Sequence, residues 1–199
     1  MDSDRALEFR PATQDVFEDV VLMLGPKRRP DAIACWCLTY RDGPAAVKLT
    51  AQQRRDRVFE LCGRAPAPGI LAYAGAEVVG WVGVAPRAEV AELRNTDSYP
   101  RIDEAEPWSI FCVRVRGGHR GHGIGSQLLD GAISFAKEHG ATLLEAYPLD
   151  TEQKVDAITS YPGLRSMFER VGFGKAADAK PNRAGIPRVI MRLDVTRTE

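Results

Sequence analysis

The run Arg120-Gly121-His122-Gly123-Ile124-Gly125-Ser126 has the residue types and spacing to seat phosphate oxygens. Its glycines allow positive φ and close approach of the backbone to a ligand. An apolar stretch, Trp108 to Val115, precedes the run, and a helix-patterned stretch, Ile124 to His139, follows it. A strand feeding a glycine turn into a helix leaves first-turn N–H groups pointing outward, where the helix dipole favours negative charge. Arg120 adds a fixed cation at the rim.

The elements that must position this turn are legible from periodicity and punctuation. Leu7 to Arg10 predicts a short strand, and Thr13 a cap for a helix carrying Val16, Phe17, Val20, Val21 and Leu24, stopped by Gly25-Pro26. Ile33 to Tyr40 is rich in strand formers. Thr50 and Gln53 have capping-box spacing for a helix from Ala51 to Cys62, with Arg54, Arg55, Asp56 and Arg57 on a solvated face. Gly69 to Ala74 and Glu77 to Ala85 read as a hairpin turning at Gly75-Ala76. Pro86 to Pro107 is a long polar segment of the kind that is functional or mobile. The helix after the glycine turn faces inward with Ile124, Leu128, Leu129, Ile133 and Ala136, and Thr142 to Tyr147 predicts the next strand. Pro162 suits the first turn of a helix bearing Leu164, Met167, Phe168 and Val171. Phe173–Ala177 and Arg188–Val195 complete an α/β chain with mixed strand directions.

The 199 residues, 44% hydrophobic and 27% charged, suffice for one domain with a substantial core. Lys plus Arg equals Asp plus Glu at 27 each, so no global field draws the chain to nucleic acid or to an acidic membrane. Cys35, Cys37, Cys62 and Cys112 read as buried thiols of a reducing compartment, and they lack metal-ligand spacing with His119, His122 and His139. The opening residues Met1 to Arg5 carry no apolar run, and a cytoplasmic location is expected.

Three phosphate ligands suit a glycine turn. A Walker loop is excluded, because no lysine stands between Gly125 and Ser126. A Rossmann fingerprint is partly met by Gly121, Gly123 and Ser126, with Glu145 downstream as a ribose-binding acid. Against it stand the turn's late position and the intervening Arg116-Gly117-Gly118-His119. The third ligand is a CoA pyrophosphate.

Here the chain resembles the GNAT superfamily of acyl-CoA-dependent N-acyltransferases, whose signature Arg/Gln-x-x-Gly-x-Gly/Ala follows a Val-x-Pro strand end. Val115-Arg116-Gly117-Gly118-His119 precedes Arg120-Gly121-His122-Gly123-Ile124-Gly125, with Gly117 in place of the proline. Leu7–Thr13 resembles the family's opening strand and turn, Val78–Gly83 its third strand, and Phe168-Glu169-Arg170-Val171-Gly172-Phe173 its late helix-to-strand signature. The resemblance implies a GNAT fold over residues 1–199, a mixed central sheet with splayed middle strands flanked by helices. It implies pyrophosphate held by the backbone of Arg120, Gly121, His122, Gly123, Ile124, Gly125 and Ser126. Main-chain groups of Val113 and Val115 would then pair with the pantetheine arm, and an N–H there would polarise the thioester carbonyl.

The reaction so implied moves acetyl from acetyl-CoA to a primary amine of a small-molecule or peptide acceptor, by direct transfer in a ternary complex. Acetyl-CoA is the cosubstrate and no metal is expected. Phe168 stands where the family often has a tyrosine general acid, and Tyr161 stands where many members have a CoA-contacting asparagine. Tyr161 is therefore the candidate proton donor. Glu104 and Glu106, before the splayed strand, are candidate bases, with Glu145 a third. Trp36, Tyr40, Trp81 and Trp108 are candidates for lining the acceptor site, and Asp103 with Glu104 and Glu106 would suit a cationic amine. A non-catalytic CoA-binding module of the same fold is the alternative. No nucleic acid or membrane partner is expected, and a homodimer remains open.

Overall fold

The strand that feeds the glycine turn sits at the centre of its sheet. The computed structural model describes residues 6–95, 97–153, 155 and 161–196, so the opening residues Met1 to Arg5 lie outside the described residues. Among them, seven strands form one sheet in the order β1-β2-β3-β4-β5-β7-β6. β1 (Glu8–Pro11), β2 (Gly69–Ala74), β3 (Glu77–Pro86) and β4 (Trp108–Val115) are antiparallel neighbours. β5 (Leu143–Ala146) runs parallel to β4, and β7 (Arg188–Asp194) lies antiparallel between β5 and β6 (Gly174–Ala179). Antiparallel pairing of β4 with β3 removes the Rossmann reading, which needs a parallel βαβ series.

Helices cover both faces because the strands alternate. α1 (Phe17–Leu24), α2 (Leu38–Arg41) and α3 (Ala51–Cys62) pack over Trp81, Phe111 and Cys112. α4 (Ile124–Glu138) and α5 (Arg165–Glu169) pack over Val82, Ile110 and Val113 on the opposite face. α4 is also the crossover that parallel β4 and β5 require.

The capping box is present in full: Gln53 N–H donates to Thr50 Oγ1 at 3.2 Å, and Thr50 N–H to Gln53 Oε1 at 2.9 Å. Several expectations are corrected. Thr13 does not cap α1, whose start is a 3-10 turn over Gln14–Val16. Ile33–Tyr40 is not a strand: Trp36 and Cys37 are left-handed, at φ 54° and 58°, and α2 follows. Trp36, Cys37 and Leu38 are all buried, and a strand would have turned alternate members outward. Arg54 leaves the solvated face, buried with its guanidinium on the carbonyl of Ala34 at 3.2 Å. Pro162 precedes α5 rather than opening it. Among the described residues of the 86–107 segment, 3-10 turns form at Arg87–Glu89 and Ala91–Arg94, and Val90, Leu93 and Tyr99 are buried. Cys37 and Cys112 form a disulfide that ties the turn before α2 to β4, so only Cys35 and Cys62 are free thiols among the described residues.

Candidate active site

β4 and β5 separate partway along their length. Trp108, Ser109 and Ile110 pair with Leu144, Glu145 and Ala146, and beyond Ile110 β4 pairs with β3 alone. Phe111 is an extra residue there, because Gly83 faces Cys112 while Val84 faces Ile110. Such a bulge bends the strand and re-aims its groups. Arg116 N–H donates to Val79 on β3, so by alternation the N–H and C=O of Val113 and Val115 point into the opening.

The glycine turn borders this opening. Gly121 (φ 83°) and Gly123 (φ 74°) are left-handed, and a Cβ on either would meet no protein atom within 4 Å. Gly123 caps α4, and Ser126 N–H already donates to its carbonyl at 3.1 Å. The expected row of donors therefore ends at Gly125, before Ser126. Among the described residues, no acceptor within the chain takes the N–H of Gly121, His122, Gly123, Ile124 or Gly125. Ile124 anchors the helix start in the core, while His122 and Arg120 are exposed, with Arg120 Nε 3.4 Å from the Val115 carbonyl.

A cleft of about 840 Å³ joins these parts. Val113 to Gly117, with Arg120 and Gly125, form one wall, and Tyr161 to Gly163 with Met167 form the second. Met23, Lys27, Cys35, Thr39 and Tyr40 close the third side. Tyr161 donates its phenol to the carbonyl of Phe111 at 3.0 Å. Burial, reinforced by Tyr40 and Cys35 and opposed by Arg114, pushes its pKa well above the ordinary phenol value. The hydroxyl therefore keeps its proton.

The other candidates fall elsewhere. Glu104 and Glu106 are exposed before the start of β4, and Glu106 pairs with Arg101 at 2.8 Å. Trp108 to Val115 spans roughly 23 Å of strand, so these carboxylates stand at the end remote from the cleft mouth. Glu145 is buried and fully engaged, with Arg87 Nη1 and Tyr147 OH each 2.7 Å from Oε2 and Arg192 2.8 Å from Oε1. Asp103 is held by Arg192, whose guanidinium and the Ala105 N–H draw its pKa down to about 2. Phe168 packs edge-on against Phe173 in the core. Cys112 is bridged, and His119 rests 3.5 Å from Glu77. Of the aromatic candidates, Tyr40 lines the cleft, whereas Trp36, Trp81 and Trp108 are core.

Lys27, Arg114, Cys35 and Met167 line the cleft without having been expected there. Arg114 had a signal: it is a cation between Val113 and Val115 on a mostly apolar strand. Lys27, Arg114, Arg116, Arg120 and Arg183 line the cleft, and among the described residues no carboxylate does.

A family model for the acetyltransferase (GNAT) family matches residues 33–173. Solved structures share the fold at low identity. A GNAT-family acetyltransferase from Streptococcus pneumoniae is 15% identical with TM-score 0.56, covering 96% of this chain and 99% of its own. The acetyltransferase yncA from Salmonella typhimurium, solved with its cofactor acetyl-CoA, is 13% identical with TM-score 0.56, covering 98% and 96%. The NatC complex bound to Gag peptide and CoA contains a chain 12% identical with TM-score 0.52, covering 95% and 98%. No curated protein sequence matches the chain.

Proposed function

The chain belongs to the GNAT acetyltransferase family, and from that membership we propose that it moves acetyl from acetyl-CoA to a primary amine by direct attack in a ternary complex. The acceptor is a small molecule or a peptide, and residues 1–199 act as one domain. The observation that carries this reading is the meeting, in one cleft, of an unpaired β4 edge and the unfilled N–H groups that start α4.

Acetyl-CoA would supply a thioester carbonyl already activated toward an amine. The N–H groups of Gly121 to Gly125, with Arg120 at the rim, suit its pyrophosphate. Main-chain groups of Val113 and Val115 suit its amide-bearing arm, and an N–H on this edge would polarise the thioester oxygen as charge grows there. The acceptor nitrogen bonds to the carbonyl carbon, the carbon–sulfur bond breaks, nitrogen loses one proton and sulfur gains one. Tyr161, kept protonated by burial, would turn its O–H from the Phe111 carbonyl to hydrogen-bond the departing sulfur, and the proton that water takes from nitrogen is passed on to that sulfur. Glu104 and Glu106 are given no proton-transfer step in this reading, since neither is among the residues lining the cleft. Proton removal from the amine falls to water at the cleft mouth.

Calorimetry with acetyl-CoA, CoA and NAD, followed by thiol release over an amine panel, tests the reading. Acetyl-CoA and CoA should bind, NAD should not, and at least one amine should release thiol. CoA affinity without thiol release from any amine would favour a non-catalytic CoA-binding module, a reading that the absence of cleft carboxylates among the described residues supports. Among those residues no helix is long and apolar enough to cross a membrane.

A further inference from the structure

Arg114 pairs across the ladder with Trp81, so the two side chains leave the sheet on the same face. Trp81 belongs to the core beneath α1, α2 and α3, whereas Val113 and Val115 pack on the α4 face. Arg114 thus points to the side of the sheet opposite the helix whose first turn would seat the pyrophosphate. Its companions on the cleft wall there are Lys27, Cys35, Tyr40 and Tyr161.

This end of the cleft gathers positive charge and leaves it uncompensated. Among the described residues, the half-buried Arg114 guanidinium has neither a hydrogen bond nor an ion pair. Lys27 donates to the carbonyl of Leu22, and desolvation together with Arg114 and Arg116 pushes its pKa down. Arg116 by contrast is paired with Glu77 at 2.8 Å. An unpaired guanidinium in a partly desolvated wall is costly unless a ligand supplies an oxyanion, which its planar fork accepts two-pronged.

We propose that Arg114, supported by Lys27, holds a carboxylate or phosphate group carried by the acceptor amine itself. The acceptor class is then an amine bearing an oxyanion, in place of the cationic amine that the acids before β4 suggested. This rests on the acetyltransferase reading, since it assigns the acceptor end of the same cleft.

The test compares amines that differ in an oxyanion: β-alanine with β-alaninamide, lysine with lysinamide, and O-phosphoethanolamine with ethanolamine. In at least one pair, kcat/KM for the oxyanion-bearing member should exceed that of its neutralised partner by about tenfold or more. The first two pairs report on carboxylate and the third on phosphate. Arg114→Gln should erase that preference while the Kd for acetyl-CoA stays within about twofold. Lys27→Gln, a change at an exposed rim position, should weaken the preference in the same direction and guards against a folding defect in the first variant. Equal or better use of the neutralised members, or acetylation of no member of any pair, overturns the proposal. So does an Arg114→Gln variant that loses acetyl-CoA affinity with its acceptor preference intact. Failure of the wild-type protein to bind acetyl-CoA is a different result, and it removes the acetyltransferase reading itself.

Discussion

The phenol of Tyr161 donates to the carbonyl of Phe111, the bulge residue where β4 leaves its partnership with β5. The hydroxyl is thereby stationed at the apex of the opening. Tyr161→Phe keeps the ring, which lies 5.7 Å from that of Tyr40, and removes only the donor. We expect kcat to fall by about tenfold or more, with acetyl-CoA affinity little changed. Thiol-release kinetics beside calorimetry decide it; an unaltered kcat would take the hydroxyl out of the mechanism.

Gly121 and Gly140 share nearly the same left-handed backbone, φ 83° and 85°, and neither would crowd a Cβ. They differ in place, one in the glycine turn and one just beyond α4. Alanine at either position should cost roughly 1 kcal/mol of stability through strain. Gly121→Ala should in addition weaken CoA binding by about tenfold, whereas Gly140→Ala should not. Equal CoA affinities for the two variants would remove the turn from the donor site.

Glu145 sits between Arg87 and Arg192 with no exposure to solvent. Its neutralisation leaves the buried Arg87 guanidinium without a carboxylate partner, while Arg192 keeps Asp103. Glu145→Gln should lower stability by about 3 kcal/mol, read as a shift in urea midpoint. Retention of wild-type stability would contradict the ion-pair assignment.

The chain's order along the sequence was legible wherever the signal is local. The Thr50–Gln53 capping box, the hairpin around Gly75 and the glycine turn all depend on spacing over a few residues. Trp36-Cys37-Leu38 was not legible, because strand propensity there yields to the burial of three consecutive side chains. That Glu104 and Glu106 do not line the cleft was not legible for a related reason. Nearness in sequence to β4 does not say which end of that strand borders the cleft. The place of Tyr161 on the cleft wall is signalled by its position before the late helix signature, and that of Arg114 by a cation interrupting an apolar strand.

Asp103 offers a pH test with a definite sign. Its carboxyl is held at about 2 in the folded chain by Arg192 and the Ala105 N–H, against roughly 3.9 when unfolded. The contribution is present above the unfolded value and is lost as pH falls through the folded one. The difference in melting temperature between wild type and Asp103→Asn should be steady from about pH 7 to 5 and shrink between about pH 4 and 2. A gap independent of pH would refute the pairing.

Cys35 and Cys62 should differ in reactivity. Cys35 is half-buried on the cleft wall, whereas Cys62 is buried and burial pushes its pKa up to about 12. Iodoacetamide without reductant should label Cys35 alone, and acetyl-CoA should slow that labelling. Mass spectrometry of the labelled peptides reads both effects, and a label on Cys37 or Cys112 would argue against their bridge.

The free edge of β4 from Phe111 to Val115 lies inside the sheet, with β5 and β7 beyond it and Tyr161 across its start. A strand edge at the outer rim offers its hydrogen bonds to any passing chain and invites sheet-to-sheet aggregation. On the proposed reading, an edge opened in the interior would take a slender amide-bearing arm without standing at the sheet's outer rim. On that reading the main-chain groups left open for a small ligand lie where outer-rim strand pairing does not reach.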